Sequence, residues 1–285
     1  MLIFDGGMGT LLMAEGISPK ENSASWAITH PDVIKRIHMD YYRAGSHVVL
    51  TDTFAANALT YSKEELADVV SAACTLAAAA RDEANEEMPE KQHFWAFDIG
   101  PLPEMLEPFG DLEYDEAVEI FAESVRTAEK FAPDLYFIET MNDKDQTLAA
   151  LEAVKKHSER PVFVSNTYDE RGRLFTGASP QEMIEAIEEG GADAVGINCS
   201  FGPAGLIPIL EVYLEHAHLP VFFKPNAGLP KLKDGQTFYD MTPEEFAAEI
   251  RPALDMGLRI VGGCCGTTPE YIEAVARRAA DAVST

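Results

Sequence analysis

Basic residues are scarce in this chain of 285 residues. It has 22 lysines and arginines against 48 aspartates and glutamates, which gives a net charge of −26 at pH 7. Such a charge repels nucleic-acid phosphates and anionic lipid headgroups. The sequence also lacks an apolar run of the ~20 residues that a membrane helix needs, and its first residues lack the basic segment of a secretory signal. We therefore expect a cytoplasmic protein without nucleic-acid or membrane partners.

Cysteine is also scarce, with four residues in the whole chain. Four cysteines do not make a disulfide framework in a chain of this length, and a reducing cytosol keeps them as thiols. Cys74 lies in an alanine-rich helical pattern, so we interpret it as a small core residue. Cys199, Cys264 and Cys265 instead follow short apolar runs and are candidates for chemistry.

The chain does contain eight short apolar runs that alternate with amphipathic helical patterns. The runs are Leu2 to Phe4, His47 to Thr51, Phe94 to Ile99, Leu135 to Glu139, Val162 to Asn166, Ala194 to Asn198, Val221 to Lys224 and Arg259 to Gly263. Strands that are apolar throughout are typical of a parallel sheet covered by helices, and eight strand and helix units are the number in a TIM barrel. We predict the α/β class and a single-domain (β/α)8 TIM barrel over residues 1–285. An open doubly wound sheet is the structural alternative.

Unusual polar residues and the cysteines fall at the carboxyl ends of these strands, which surround one mouth in a closed barrel. Adjacent residues of a strand point to opposite faces, so Cys264 and Cys265 need a turn before both can reach one ion. The neighbouring glycines permit such a turn. With Cys199 the pair would give the three protein ligands of a catalytic zinc site. Three thiolate ligands make zinc less able to generate hydroxide from water, so such a site suits a thiol substrate better. The alternative interpretations of these cysteines are a redox pair and inert burial.

Several motifs resemble those of the zinc-dependent homocysteine S-methyltransferases, especially the homocysteine-binding module of cobalamin-dependent methionine synthases. They are DGGMGT (5–10), TDTF (51–54), DIGP (98–101), FIET (137–140), GINCS (196–200), PNAGLP (225–230) and GGCCGTTPE (262–270). The set extends from one end of the chain to the other, and the last motif is highly specific.

The resemblance implies methyl transfer to the thiol of L-homocysteine, giving methionine. It implies Zn2+ held by Cys199, Cys264 and Cys265, with the substrate sulfur as the fourth ligand. It also implies substrate contacts from Asp5, Gly6, Gly7, Met8, Glu139 and Asn198. Two carboxylates suit the α-ammonium, and backbone N–H groups of the glycine-rich turn suit the carboxylate. Without the resemblance, Asp5 fits a turn residue and Glu139 an ion-pair partner equally well.

Two positions depart from the family pattern, because Leu50 and Asp52 stand where many members have Glu and Asn. We hypothesise that Asp52 tunes the site towards a particular donor or stabilises the empty metal site; neutral drift is the alternative. The chain has no Asp-x-His-x-x-Gly corrinoid signature. We therefore expect methylcobalamin to arrive on a separate corrinoid protein. The alternatives are a stand-alone enzyme that uses S-methylmethionine or betaine, a zinc-binding structural partner, and a redox sensor that uses Cys264 and Cys265.

Overall fold

A computed structural model describes residues 1–18, 21–233 and 236–283. The barrel strands are β1 (Leu2–Ile3), β2 (Val48–Leu50), β3 (Phe94–Ile99), β4 (Leu135–Met141), β5 (Val162–Asn166), β6 (Ala194–Cys199), β7 (Val221–Pro225) and β10 (Ile260–Val261). A separate antiparallel hairpin is formed by β8 (Lys231–Lys233) and β9 (Gln236–Phe238). All eight predicted strands are present, although several differ by one or two residues at their ends.

Helices alternate with the strands. They are α1 (Met8–Ala14), α2 (Trp26–Thr29), α3 (Pro31–Arg43), α4 (Lys63–Glu87), α5 (Tyr114–Ala128), α6 (Lys144–His157), α7 (Pro180–Glu189), α8 (Pro203–His216), α9 (Pro243–Asp255) and α10 (Pro269–Val283). Thr242 caps α9 through the amide of Glu245, as its position before a proline predicts. Helix α1 and the β8–β9 hairpin were not predicted. Among the described residues, no helix is both long and apolar enough to cross a lipid bilayer.

The parallel sheet closes on itself. Its strand order is β1, β10, β7, β6, β5, β4, β3, β2, and a parallel bridge from Phe4 to Val48 joins the two ends. The amide of Asp5 donates to the Val48 carbonyl at 3.0 Å, and the amide of His47 donates to the Ile3 carbonyl at 2.6 Å. The TIM-barrel prediction is therefore confirmed, and the open sheet is excluded.

The interior of the barrel is filled by aromatic rings below the carboxyl ends of the strands. The Phe137 ring lies 4.9 Å from that of Phe4 and 5.0 Å from that of Phe222, measured between centroids. These rings are fully buried. The larger apolar core lies between the strands and the surrounding helices. The aromatic layer therefore forms the floor beneath the polar residues at the mouth.

Candidate metal and substrate site

Three cysteine sulfurs meet at the mouth of the barrel. The Sγ atoms of Cys199, Cys264 and Cys265 all lie within 4.8 Å of one another, and those of Cys199 and Cys265 are 3.9 Å apart. Two sulfurs about 2.3 Å from one zinc ion at tetrahedral angles would be about 3.8 Å apart. The spacing therefore fits a single zinc ion, and soft thiolates are ligands that zinc accepts. Cys74 is buried in α4, as predicted.

The backbone at each cysteine is turned so that the sulfurs converge. Cys199 ends β6 with a positive φ of 61°. Cys264 and Cys265 follow β10, where the Cys264 amide donates to the Pro225 carbonyl at 2.9 Å and the Cys265 amide donates to Asn226 Oδ1 at 3.0 Å. Gly266 then adopts a φ of +81°, a conformation that favours glycine. The turn that frees the adjacent cysteines from strand geometry is thus attached to the end of β7.

The glycine-rich turn after β1 packs directly against this cysteine turn. A Cβ atom at Gly7 would lie only 2.8 Å from the Cys264 carbonyl oxygen. The Gly7 amide donates to the Thr267 carbonyl at 3.0 Å, so this N–H group is already engaged. Gly6, Gly7 and Met8 line the same cavity as the cysteines. Position 7 therefore requires glycine, because a side chain there would clash with the cysteine turn.

A buried lysine, Lys224, occupies the space between the two carboxylates that the sequence predicts as ammonium ligands. Its Nζ lies 3.1 Å from Asp5 Oδ1 and 3.9 Å from Glu139 Oε2. Nζ also lies over the rings of Phe4 and Phe137, at 5.3 and 4.9 Å from their centroids. Burial lowers the pKa of Lys224, but the charges of Asp5 and Glu139 outweigh it and raise the pKa overall. Lys224 is therefore a charged ammonium inside the protein.

Asn198 joins the cysteines to Glu139. Its Nδ2 donates to Thr140 Oγ1 at 2.7 Å and to Glu139 Oε2 at 3.3 Å, and it lies 3.7 Å from Cys264 Sγ. Its Oδ1 accepts from the Thr140 amide at 2.8 Å and from Ser165 Oγ at 2.9 Å. With both ends of its amide engaged, Asn198 has a fixed orientation. It can therefore orient the Glu139 carboxylate.

Two more buried carboxyl groups, Asp52 and Asp98, line the cavity. Among the described residues, neither Asp52 Oδ2 nor Asp98 Oδ1 has a hydrogen-bond partner. Burial raises the pKa of Asp52 to about 6 and raises the pKa of Asp98 well above its usual value; the charge of Glu139 adds to the latter effect. Leu50, which departs from the family pattern, contacts the site through its backbone: its amide donates to Asp5 Oδ2 at 2.7 Å.

The cysteines, Lys224 and the buried carboxyl groups surround one cavity of about 660 Å³. That volume is within the usual range for small-molecule sites. Tyr239, which follows the unpredicted hairpin, lines the cavity as well; burial raises the pKa of its hydroxyl, and a hydrogen bond to Cys265 adds to this rise. A Cβ at Gly266 would lie 2.3 Å from the Tyr239 ring. The cavity thus has three cysteine sulfurs on one wall and a group of buried ionisable side chains beside them.

Comparison with known proteins identifies the family of this chain. The model of the homocysteine S-methyltransferase family matches residues 2–279. The chain belongs to this family. It is 30% identical over 300 residues to the methionine synthase of Mycobacterium tuberculosis and 31% identical over 297 residues to that of Mycobacterium leprae. The matches cover 99% and 97% of this chain, but the chain spans only about a quarter of each relative.

Solved structures confirm the fold of this methyltransferase family member. The metallated form of the Escherichia coli homocysteine methyltransferase MmuM superposes with a TM-score of 0.83 at 22% identity, covering 98% of this chain and 96% of that one. Its apo form gives 0.79 at 23% identity, with 98% and 95% coverage. The barrel prediction therefore holds over nearly the whole chain.

Sequence reasoning missed Lys224, Asp98 and Tyr239 as residues of the cavity. The signal for Lys224 was a charged side chain at the end of the apolar run VFFK, and that for Asp98 was the DIGP motif. Tyr239 had no comparable signal, because its position depends on the hairpin. The predicted residues Asp5, Gly6, Gly7, Met8, Asp52, Glu139 and the three cysteines all line the cavity, and Asn198 lies directly behind it.

Proposed function

We propose that this protein transfers a methyl group to the thiol of L-homocysteine, giving methionine, with Zn2+ held by Cys199, Cys264 and Cys265. The convergence of three sulfurs on an open cavity is the observation that carries the proposal. Family membership supports the acceptor, and a relative whose structure is described as metallated supports a metal. We further propose that residues 1–285 act as one catalytic domain.

The metal would supply one chemical effect, which is to deprotonate a coordinated thiol at neutral pH. A free thiol with a pKa near 8.5 is only a few per cent thiolate at that pH. The protein supplies the ligand geometry and the orientation of the substrate. We infer that Glu139, which accepts a hydrogen bond from Asn198, binds the α-ammonium, and that the amides of Gly6 and Met8 contact the carboxylate.

We propose that the methyl donor is methylcobalamin carried by a corrinoid protein or domain outside these 285 residues. Large apolar side chains are exposed on the loops that follow β2, β3, β5 and β7. They are Phe54, Phe109, Phe175, Leu229 and Leu232, of which Phe175 is 74% and Leu232 79% exposed. Exposed apolar groups around a catalytic mouth favour contact with another protein surface. This rim supports a protein-borne donor over S-methylmethionine or betaine.

The test is methionine formation from L-homocysteine by the zinc-loaded protein. Each reaction contains free methylcobalamin, S-methylmethionine, betaine or a methylated corrinoid protein, and Cys265→Ala is the control that removes one metal ligand. We expect methionine to form fastest with the corrinoid protein and the control to be inactive. Absence of methionine with every donor would contradict the function. Faster turnover with a small donor would contradict only the donor assignment.

A further inference from the structure

We propose that Asp98, together with Glu139, binds the α-ammonium of the acceptor, whereas Asp5 serves as the internal counterion of Lys224. The proposal rests on the proposed function and concerns the same cavity. It adds Asp98 as a specificity-determining residue and removes Asp5 from direct contact with the substrate.

Asp5 is already occupied at both oxygens. Its Oδ1 accepts from Lys224 Nζ at 3.1 Å, and its Oδ2 accepts from the Leu50 amide at 2.7 Å. Both Asp5 and Lys224 are almost fully buried. An incoming ammonium at Asp5 would have to share this carboxylate with the buried Lys224 ammonium, and the two positive charges would repel each other.

The charges around the cavity are unbalanced. Five carboxyl groups line it, from Asp5, Glu21, Asp52, Asp98 and Glu139, whereas Lys224 is the only basic residue among the described lining residues. Buried charges are stable when they are paired. A ligand that brings one positive charge would therefore improve the balance, and the α-ammonium of an amino acid is such a group.

Asp98 is held in a position suitable for that ligand. Its amide donates to Thr51 Oγ1 at 3.0 Å, and its carbonyl accepts from Thr53 Oγ1 at 2.7 Å, so its backbone is fixed. Its side chain is 5% exposed and lines the cavity, yet Oδ1 has no hydrogen-bond partner among the described residues. A buried acceptor without a donor is unfavourable, and an ammonium has three donors.

Strand register places Asp98 and Glu139 on the same side of the sheet. Asp98 of β3 pairs with Phe137 of β4, whose ring points into the barrel. Glu139 is two residues beyond Phe137 and therefore shares its face. An ammonium between these neighbouring strands can contact both carboxylates. The substrate thiol would then lie at the metal site formed by the cysteines.

The test compares homocysteine with 4-mercaptobutanoate, which has the same thiol and carboxylate but no amino group. Dissociation constants for both ligands are measured by calorimetry on the zinc-loaded full chain of the parent, Asp98→Asn and Asp5→Asn, with Asp52→Asn as a matched loss of one cavity carboxylate. We expect Asp98→Asn to reduce the preference for homocysteine by roughly tenfold or more, because a hydrogen bond to a charged group is lost. Binding of 4-mercaptobutanoate should change by less than about threefold.

Asp5→Asn and Asp52→Asn should reduce the preference much less. If Asp98 has a purely structural role, Asp98→Asn will weaken the binding of both ligands equally and leave the preference for homocysteine unchanged. That result would overturn the proposal. Collapse of the preference in Asp5→Asn but not in Asp98→Asn would also overturn it. If the parent prefers homocysteine to 4-mercaptobutanoate but forms no methionine, only the proposed function is contradicted.

Discussion

Replacing Lys224 with methionine should destabilise the barrel strongly, because it leaves buried carboxylates without a counterion. Lys224 and Asp5 are 1% and 2% exposed, and their charged atoms are 3.1 Å apart. At an effective dielectric constant of about 20, this separation corresponds to an attraction of about 5 kcal/mol. Desolvation of the two ions offsets part of it, and removal of one partner from a buried pair typically costs about 3–5 kcal/mol.

Thermal unfolding of the parent and Lys224→Met measures this effect. For a chain of this size, a loss of about 3–5 kcal/mol lowers the unfolding midpoint on the order of 10 °C. The matched control is Lys35→Met, which breaks a partly exposed pair with Glu83 at 2.6 Å and should cost less than about 1 kcal/mol.

The double variant Lys224→Met/Asp5→Asn should recover much of the lost stability, because it also removes the uncompensated charge. The defect of the single variant should shrink as the pH falls, since Lys224 no longer lowers the pKa of Asp5 and protonation of Asp5 removes the charge. Equal midpoints for Lys224→Met and the parent, or no recovery in the double variant, would refute the reasoning.

Two further predictions concern the cysteines and Asp52. Replacement of Cys199, Cys264 or Cys265 with alanine should abolish zinc retention and methyl transfer. The far-ultraviolet circular dichroism spectrum should remain that of the parent, because the barrel core does not include the metal. Stoichiometric zinc in any of the three variants would contradict the ligand set. Burial raises the Asp52 pKa from 3.8 to about 6, so the folded state holds its proton more tightly and stability falls as the pH rises from about 4 to about 6. Asp52→Asn should remove this dependence and gain on the order of 2–3 kcal/mol above pH 6 relative to the parent, measured by denaturant unfolding across the pH range; parallel curves for the two proteins would show that Asp52 is not the titrating group.

The barrel was predictable because its signals are local. Runs such as FWAFDI and VFVSN are mostly apolar, and the structure gives both strands their predicted bounds, Phe94–Ile99 and Val162–Asn166. Helix α4 likewise begins directly after Ser62, which forms a capping box with Glu65, and covers Lys63–Glu87. Periodicity and caps act within a few residues, so they can be read without knowledge of tertiary contacts.

The charge arrangement of the site was less predictable because it depends on contacts between distant residues. Lys224 pairs with Asp5 across 219 positions, and no local pattern indicates which carboxylate a lysine will meet. The positive φ of Cys199 is a further property that tertiary structure imposes on a residue without a glycine's freedom. Tyr239 directly follows the unpredicted β8–β9 hairpin, and no local pattern indicates its interaction with Cys265.

Closure of the barrel by its first strand has a consequence for how the protein is made. The amide of Gly263 donates to the Asp5 carbonyl at 2.9 Å, and that of Gly7 donates to the Thr267 carbonyl at 3.0 Å. Contacts over about 260 residues are slow to form, because the intervening chain must first be ordered. During synthesis, the growing polypeptide has only Cys199 of the three cysteines until the last strand emerges from the ribosome. Tight metal uptake would then mark a barrel whose last strand has been synthesised and has joined the sheet.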